Sequence, residues 1–289
     1  MSWWVFGFLL IISSNNSNAT TFEQADSLFG LCLYPEACIA YEQIIYENPV
    51  NEYIKANSLL KKSNCYKAEC HYSLIDNLLS RCNVNELNDT LKSQILFEQS
   101  LACYMSEKFT SAKERILPVF NINTTPELEK ASVFLYSLIL NELSSWEESK
   151  NNLISFLKRT EISDEKLRDS LIQEVNIMYQ KKNIPKLKKI KTARTLSFIL
   201  PGLGQTYAGK TGKGLISLSL VALSGTFVYF NIIHHIYTSS AVGLYLFSYF
   251  YIGNVNQLKT MVNKRNNNKK NKINAYLRSQ LTKLNSQLN

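Results

Sequence analysis

The sequence predicts an all-α chain, a helical repeat solenoid followed by a two-span transmembrane helical hairpin. Three observations carry that expectation. Apolar residues recur three and four apart through residues 22–174, where glycine occurs only at Gly30 and proline only at Pro35, Pro49, Pro118 and Pro126. Two apolar runs, residues 215–237 and 241–255, come next without a formal charge. Charge divides as sharply: all 23 acids lie between Glu23 and Glu174, and 17 of the 32 Lys and Arg come after them with no acid. Such asymmetry points to a membrane or to nucleic acid. Apolar runs lying between two basic blocks decide for a lipid bilayer, and the acidic half would repel a phosphate backbone, so no nucleic acid is expected.

In chain order, residues 1–19 read as a signal peptide. Residues 1–12 are apolar, too few to span a bilayer but suited to a leader core, and Ser17-Asn18-Ala19 offers small residues before a cut at Thr20. No Lys or Arg precedes that core. Export of the repeat-bearing half is the expectation.

Residues 20–178 show a weak internal repeat. Four segments align on one small residue, Ala37, Ala68, Ala112 and Ser149. Three positions earlier stand Tyr34, Cys65, Phe109 and Trp146; twelve earlier, Ala25, Ala56, Ser100 and Ser137; four later, Tyr41, Tyr72, Ile116 and Leu153. Small residues let paired helices approach, aromatics fill the hollow between them, and proline ends the second helix. With Pro49 twelve residues after Ala37, this offset set resembles the tetratricopeptide repeat. The anchors stand 31, 44 and 37 residues apart, so the resemblance implies degenerate repeats; a generic helical bundle is the competing architecture. All six cysteines fall between Cys32 and Cys103. In an exported chain they read as disulfides or as buried packing residues, and their spacing does not suit zinc.

Residues 179–194 form a basic linker, with seven Lys and Arg around the helix-breaking Pro185. It reads as a segment lying on anionic head groups, or as a solvated connection. Within residues 195–258, the stretch Gly204-x-x-x-x-Gly209-Lys210-Thr211 spells a phosphate-binding loop. Such a site also needs a carboxylate for its metal, and no Asp or Glu follows Glu174. No nucleotide and no cofactor are therefore expected. The same letters read as Pro201-Gly202-x-Gly204-Gln205-x-Tyr207-x-Gly209 ahead of an apolar helix, with Gly253-Asn254 ending the second apolar run. In that order they resemble a bacterial two-span membrane domain of unassigned activity, over about residues 190–266. The resemblance implies membrane location and no reaction. Pro201, Gly202 and Gly204 are expected to make a non-helical turn at the interface, with Gln205 supplying hydrogen bonds and Tyr207 placing its hydroxyl among head groups. The turn should close against the end of the second span near Gly253-Asn254 as a structural clasp.

Residues 259–289 are a basic tail whose Ile273, Leu277, Leu281, Leu284 and Leu288 could line an amphipathic helix on a membrane surface. Only three histidines occur, and His234-His235 are neighbours that diverge on a helix, so neither a metal site nor an enzyme is expected. The expected role is a membrane-tethered scaffold or adaptor that binds other envelope proteins through its repeat surface. An accessory subunit of an envelope transport or insertion machinery is the alternative, and a nucleotide-dependent membrane ATPase a third.

Overall fold

The computed structural model describes residues 20–160 and 164–288, and every regular element in them is helical. The expected signal peptide lies outside the described residues. The chain divides into two compact units at Ile139 and Leu140, inside the seventh α-helix.

The first unit holds α1 (Phe22–Gly30), α2 (Tyr34–Glu47), α3 (Glu52–Ala68), α4 (Tyr72–Leu79), α5 (Asp89–Met105), α6 (Phe109–Ile116) and most of α7 (Pro126–Glu142). Their starts are legible. Thr21 and Gln24 close a capping box on α1, Asn51 caps α3, Asn88 caps α5, and Pro126 opens α7. Between paired helices one turn recurs: Cys32, Cys70 and Glu107 sit in the left-handed region at φ 61, 59 and 59°. The next amide then reaches the carbonyl five residues back, Leu33 to Leu28, His71 to Tyr66 and Lys108 to Cys103, at 2.8–3.0 Å. This closing bond offsets the roughly 1–2 kcal/mol that a side chain loses at positive φ.

These turns correct the second segment of the sequence alignment. Ala68 ends α3 rather than sitting inside the following helix. The residue three places into that helix is Ile75, flanked by Tyr72 at the helix start, Leu79 four later and Ser63 twelve earlier. Ser63, Ile75 and Leu79 are fully buried, as are Ala25, Ala37, Ser100, Ala112 and Ile116 at the matching places. Ser100 Oγ donates to the Ala112 carbonyl at 2.8 Å, so the small residues bring helix backbone within hydrogen-bonding range. Large fully buried members such as Leu79 and Ile116 contribute about 1.5–3 kcal/mol each. Lys62 and Arg81 both bind the Glu42 carboxylate, and the Arg81 hydrogen bond holds its pKa down at about 2 against the opposing effect of burial. All six cysteines are free thiols; burial pushes Cys65 up to about 12 and Cys82 and Cys103 to about 11, which suits packing rather than reactivity.

The second unit holds α8 (Trp146–Arg159), α9 (Glu165–Met178), α10 (Ile190–Ile199), α11 (Leu203–Tyr207), α12 (Thr211–Ile233) and α13 (Tyr237–Gln287). The left-handed turn returns at Ser144, φ 65°, with Ser145 bonded to Leu140, and Ser149 and Leu153 of α8 are fully buried. Counted from Cys32, the four turns stand 38, 37 and 37 residues apart. Tyr179 caps α9, and its buried hydroxyl meets Ser149 at 2.8 Å and Asn141 at 3.0 Å, so the irregular basic stretch begins only after it.

The apolar run at 241–255 and the basic tail belong to one uninterrupted helix of 51 residues. Its tail is amphipathic as its periodicity predicts, but the stripe faces protein rather than a membrane surface. Ile273, Leu277, Leu281 and Leu284 are buried, and Asn274 and Arg278 bond to Glu142 at 2.9 and 3.1 Å. Asn274 Oδ1 also accepts from the Trp146 indole at 3.2 Å.

Candidate functional site

Pro201 ends α10, since its ring cannot continue a helix, and Gly202 turns the chain at φ 96° to cap α11. Only glycine suits Gly202: a Cβ there would lie 2.1 Å from the Gly214 carbonyl oxygen in the first turn of α12. The turn is less irregular than expected, because Gly204 and Gln205 lie inside the helical turn α11. Thr206 N–H reaches the Gly202 carbonyl and Ala208 N–H the Gly204 carbonyl, which closes that turn.

Gly204 is the point of closest approach. A Cβ on it would lie 2.3 Å from both the Ala193 carbonyl oxygen and Ser197 Oγ of α10, and 3.0 Å from Leu258 of α13. Its amide donates to Ser197 Oγ at 3.0 Å. Gln205 is buried; its Nε2 donates to Ser217 Oγ on α12 at 3.2 Å, while Oε1 meets no hydrogen-bond partner among the described residues. Tyr207 Oη accepts from the Lys189 amide at 3.3 Å, and Lys188 Nζ lies 4.2 Å over its ring. Gly209, at φ 81°, seats the Arg265 guanidinium against its backbone, where a Cβ would come within 1.9 Å of Nη1. Asn266 completes the enclosure, its side-chain amide bonding both N–H and C=O of Lys188 at 2.9 Å.

The structure thus gathers Gly202, Gly204, Gln205, Tyr207 and Gly209 around α10, the start of α12 and residues 258–266 of α13. Gly253 is not part of this contact, since nothing lies within 4 Å of a Cβ placed on it. Asn254 continues the α13 backbone. Contact falls on Tyr251, whose hydroxyl donates to the Phe198 carbonyl of α10 at 2.9 Å, and on Leu258, Val262 and Ala208, which close a small core with Ala193. Ser197, Leu258, Arg265 and Asn266 carry no motif in the sequence; only the apolar spacing of Leu258 and Val262 hints at a buried face.

The phosphate-loop spelling has no phosphate-loop geometry. Amides of Leu203, Gly204, Thr206, Ala208, Gly209 and Lys210 all donate within the turn or to Ser197. A phosphate cradle holds such amides open toward the ligand. Among the described residues no group of three or more His, Cys, Asp or Glu is gathered to hold a metal.

Beyond the turn, α12 is long and apolar enough to cross a membrane. Its polarity is inverted relative to a helix of a water-soluble protein. The buried positions are Gly214, Ser217, Val221, Ser224, Val228 and Asn231, three and four apart, while Leu215, Ile216, Leu223, Tyr229 and Phe230 are 61–69% exposed. On α13, Gly243 lets the two helices close, its missing Cβ leaving room for Val228 and Phe227. The exposed apolar belt continues over Val242, Tyr245, Tyr249 and Ile252.

At the motif end of the pair the surface turns basic. A groove of ≈ 380 Å³ is lined by Ala208, Gly209 and Lys210 and by Lys264, Arg265, Lys269 and Lys272 of α13. No known protein family, curated protein or solved structure matches this chain.

Proposed function

We propose that the chain is a membrane-tethered helical-repeat scaffold, whose repeats bind protein partners in the cell envelope and whose C-terminal hairpin anchors them. One observation carries the anchor: α12 buries glycine, serine and asparagine and exposes leucine, isoleucine and phenylalanine. In water that arrangement leaves a large apolar patch exposed; in lipid it satisfies the polar groups inside and the apolar ones outside. The first turns of α13, which pair with α12 and carry Tyr245 and Tyr249, serve as the second span.

Four equivalent turns at a spacing of 37–38 residues, with buried small residues at Ala25, Ser63, Ser100 and Ser137, support a degenerate tetratricopeptide-like array. Exposed Ile39, Tyr46, Val50 and Tyr53 on its surface are the kind of side chain a partner covers. The committed amides of the turn speak for a clasp rather than a nucleotide site.

Because α13 runs unbroken to Asn274, whose side chain meets Trp146 and Glu142, residues 140–180 and the tail belong on one side of the membrane in this reading. Export of the repeats then carries the basic collar outward with them, against the positive-inside tendency. Reporter fusions after residues 175 and 270 must agree with each other; cytoplasmic signal at both refutes export. The tether is tested by alkaline extraction of membranes containing the full chain. It should stay in the pellet, and Leu215→Glu with Leu223→Glu should release it. Release of the unaltered chain refutes the anchor.

A further inference from the structure

From this groove we infer that the basic surface beside Gly209 is a binding site for the head group of an anionic phospholipid. The inference rests on the membrane reading above and gives the collar a specific ligand. Lys264, Arg265, Lys269 and Lys272 recur along one side of α13, and Lys210 faces them across ≈ 380 Å³. None of the five forms an ion pair among the described residues, and no acid follows Glu174 in the chain. Five neighbouring cations without a counter-charge repel one another, so an anion placed among them relieves a cost the fold otherwise carries.

Arg265 is the best-placed member. The missing side chain of Gly209 lets its guanidinium rest on the backbone, which fixes a planar fork suited to two oxygens of one phosphate. The last glycine of the motif thereby gains a purpose beyond turning the chain. Position selects lipid over a soluble phosphate or an RNA. Lys210 caps α12, and the exposed belt begins within two turns at Leu215 and Ile216. Met261 adds an apolar patch to the groove wall. The groove therefore opens where head groups lie when the belt is in acyl chains.

The test uses the full chain in lipid nanodiscs of phosphatidylcholine, alone or mixed with phosphatidylglycerol, with retained lipid counted by native mass spectrometry. The unaltered protein should retain phosphatidylglycerol selectively. Lys264→Gln with Lys269→Gln and Lys272→Gln should lower that preference at least about tenfold, and Arg265→Lys should lower it partway. Lys108→Gln with Lys158→Gln and Lys166→Gln removes the same charge far from the basic linker and the groove and should leave the preference unchanged. Excess inorganic phosphate or a short single-stranded RNA should not displace the lipid. Undiminished preference in the groove variant, equal loss in the control variant, or displacement by phosphate or RNA overturns the site. A chain that enters nanodiscs without discriminating lipids defeats the groove and leaves the anchor standing. One that enters no nanodisc defeats both.

Discussion

Replacing Gly204 by alanine separates a clasp from an ordinary helical glycine. In an open helix the change gains up to about 1 kcal/mol, because alanine is the better helix former. At Gly204 the new methyl would lie 2.3 Å from the Ala193 carbonyl oxygen and from Ser197 Oγ. Ser197 can rotate away only by giving up the hydrogen bond from the Gly204 amide, a loss of about 0.5–1.5 kcal/mol. The carbonyl belongs to the backbone of α10 and moves only with that helix, an overpacking cost of roughly 1–3 kcal/mol. Net destabilisation of about 1–3 kcal/mol is expected, or a fall in melting temperature of about 3–10 °C for a unit of this size. Gly253→Ala, on the same chemistry but in open space, should raise the melting temperature slightly. Both are read by thermal melting of the full chain in detergent. Equal tolerance of the two would refute the packing argument. Unchanged melting in Gly204→Val and Gln205→Ala, together with loss of a cellular activity, would make the motif a functional site.

Asn266→Ala removes both bonds to Lys188 and should cost about 1–2 kcal/mol; hydrogen exchange at residues 186–190 should quicken while that in α12 does not. Glu42 has its pKa lowered to about 2 from 4.5, so its contribution is complete above about pH 4.5 and vanishes as pH falls through about 2. Since its side chain is 39% exposed, about 1 kcal/mol is at stake, and Glu42→Gln should flatten the acid limb of a stability–pH curve. Gly243→Leu should force α12 from α13, seen as slower migration or aggregation in detergent, whereas Leu244→Ala on the exposed side should be silent.

The two ends of the molecule are legible in the sequence to different depths. A helical chain is implied by periodicity and by scarce glycine and proline, and α12 announces itself by an uncharged run. Sequence offsets misplace the second aligned segment by seven residues, because Ala56, Cys65 and Ala68 imitate the spacing that Ser63, Tyr72 and Ile75 hold. Such offsets record that a small residue is present, not which side of a turn it occupies; the bond from His71 to Tyr66 decides that. The glycines of the clasp are visible, but their partners are not. Close approach is a relation between two backbones, and Ala193 and Gly214 carry no mark of it. The boundary expected at 258 between span and tail is absent, since nothing in residues 254–270 forbids a helix. Periodicity in the tail reveals an apolar stripe without saying whether lipid or protein covers it.

Continuity of α13 has a mechanical consequence. After Gly253 the helix contains neither glycine nor proline, the residues at which helices hinge. Residues 254–287 therefore move as one rod of about 51 Å. When bilayer thickness changes, a span answers by tilting, and a tilt of about 10° swings the far end of the rod by roughly 9 Å over the turns beyond Gly253. Trp146 and Glu142 hold the rod part-way along, at Asn274 and Arg278, so if the start of α13 spans as proposed, thinning or thickening of the lipid would be felt at α8 as a sideways pull.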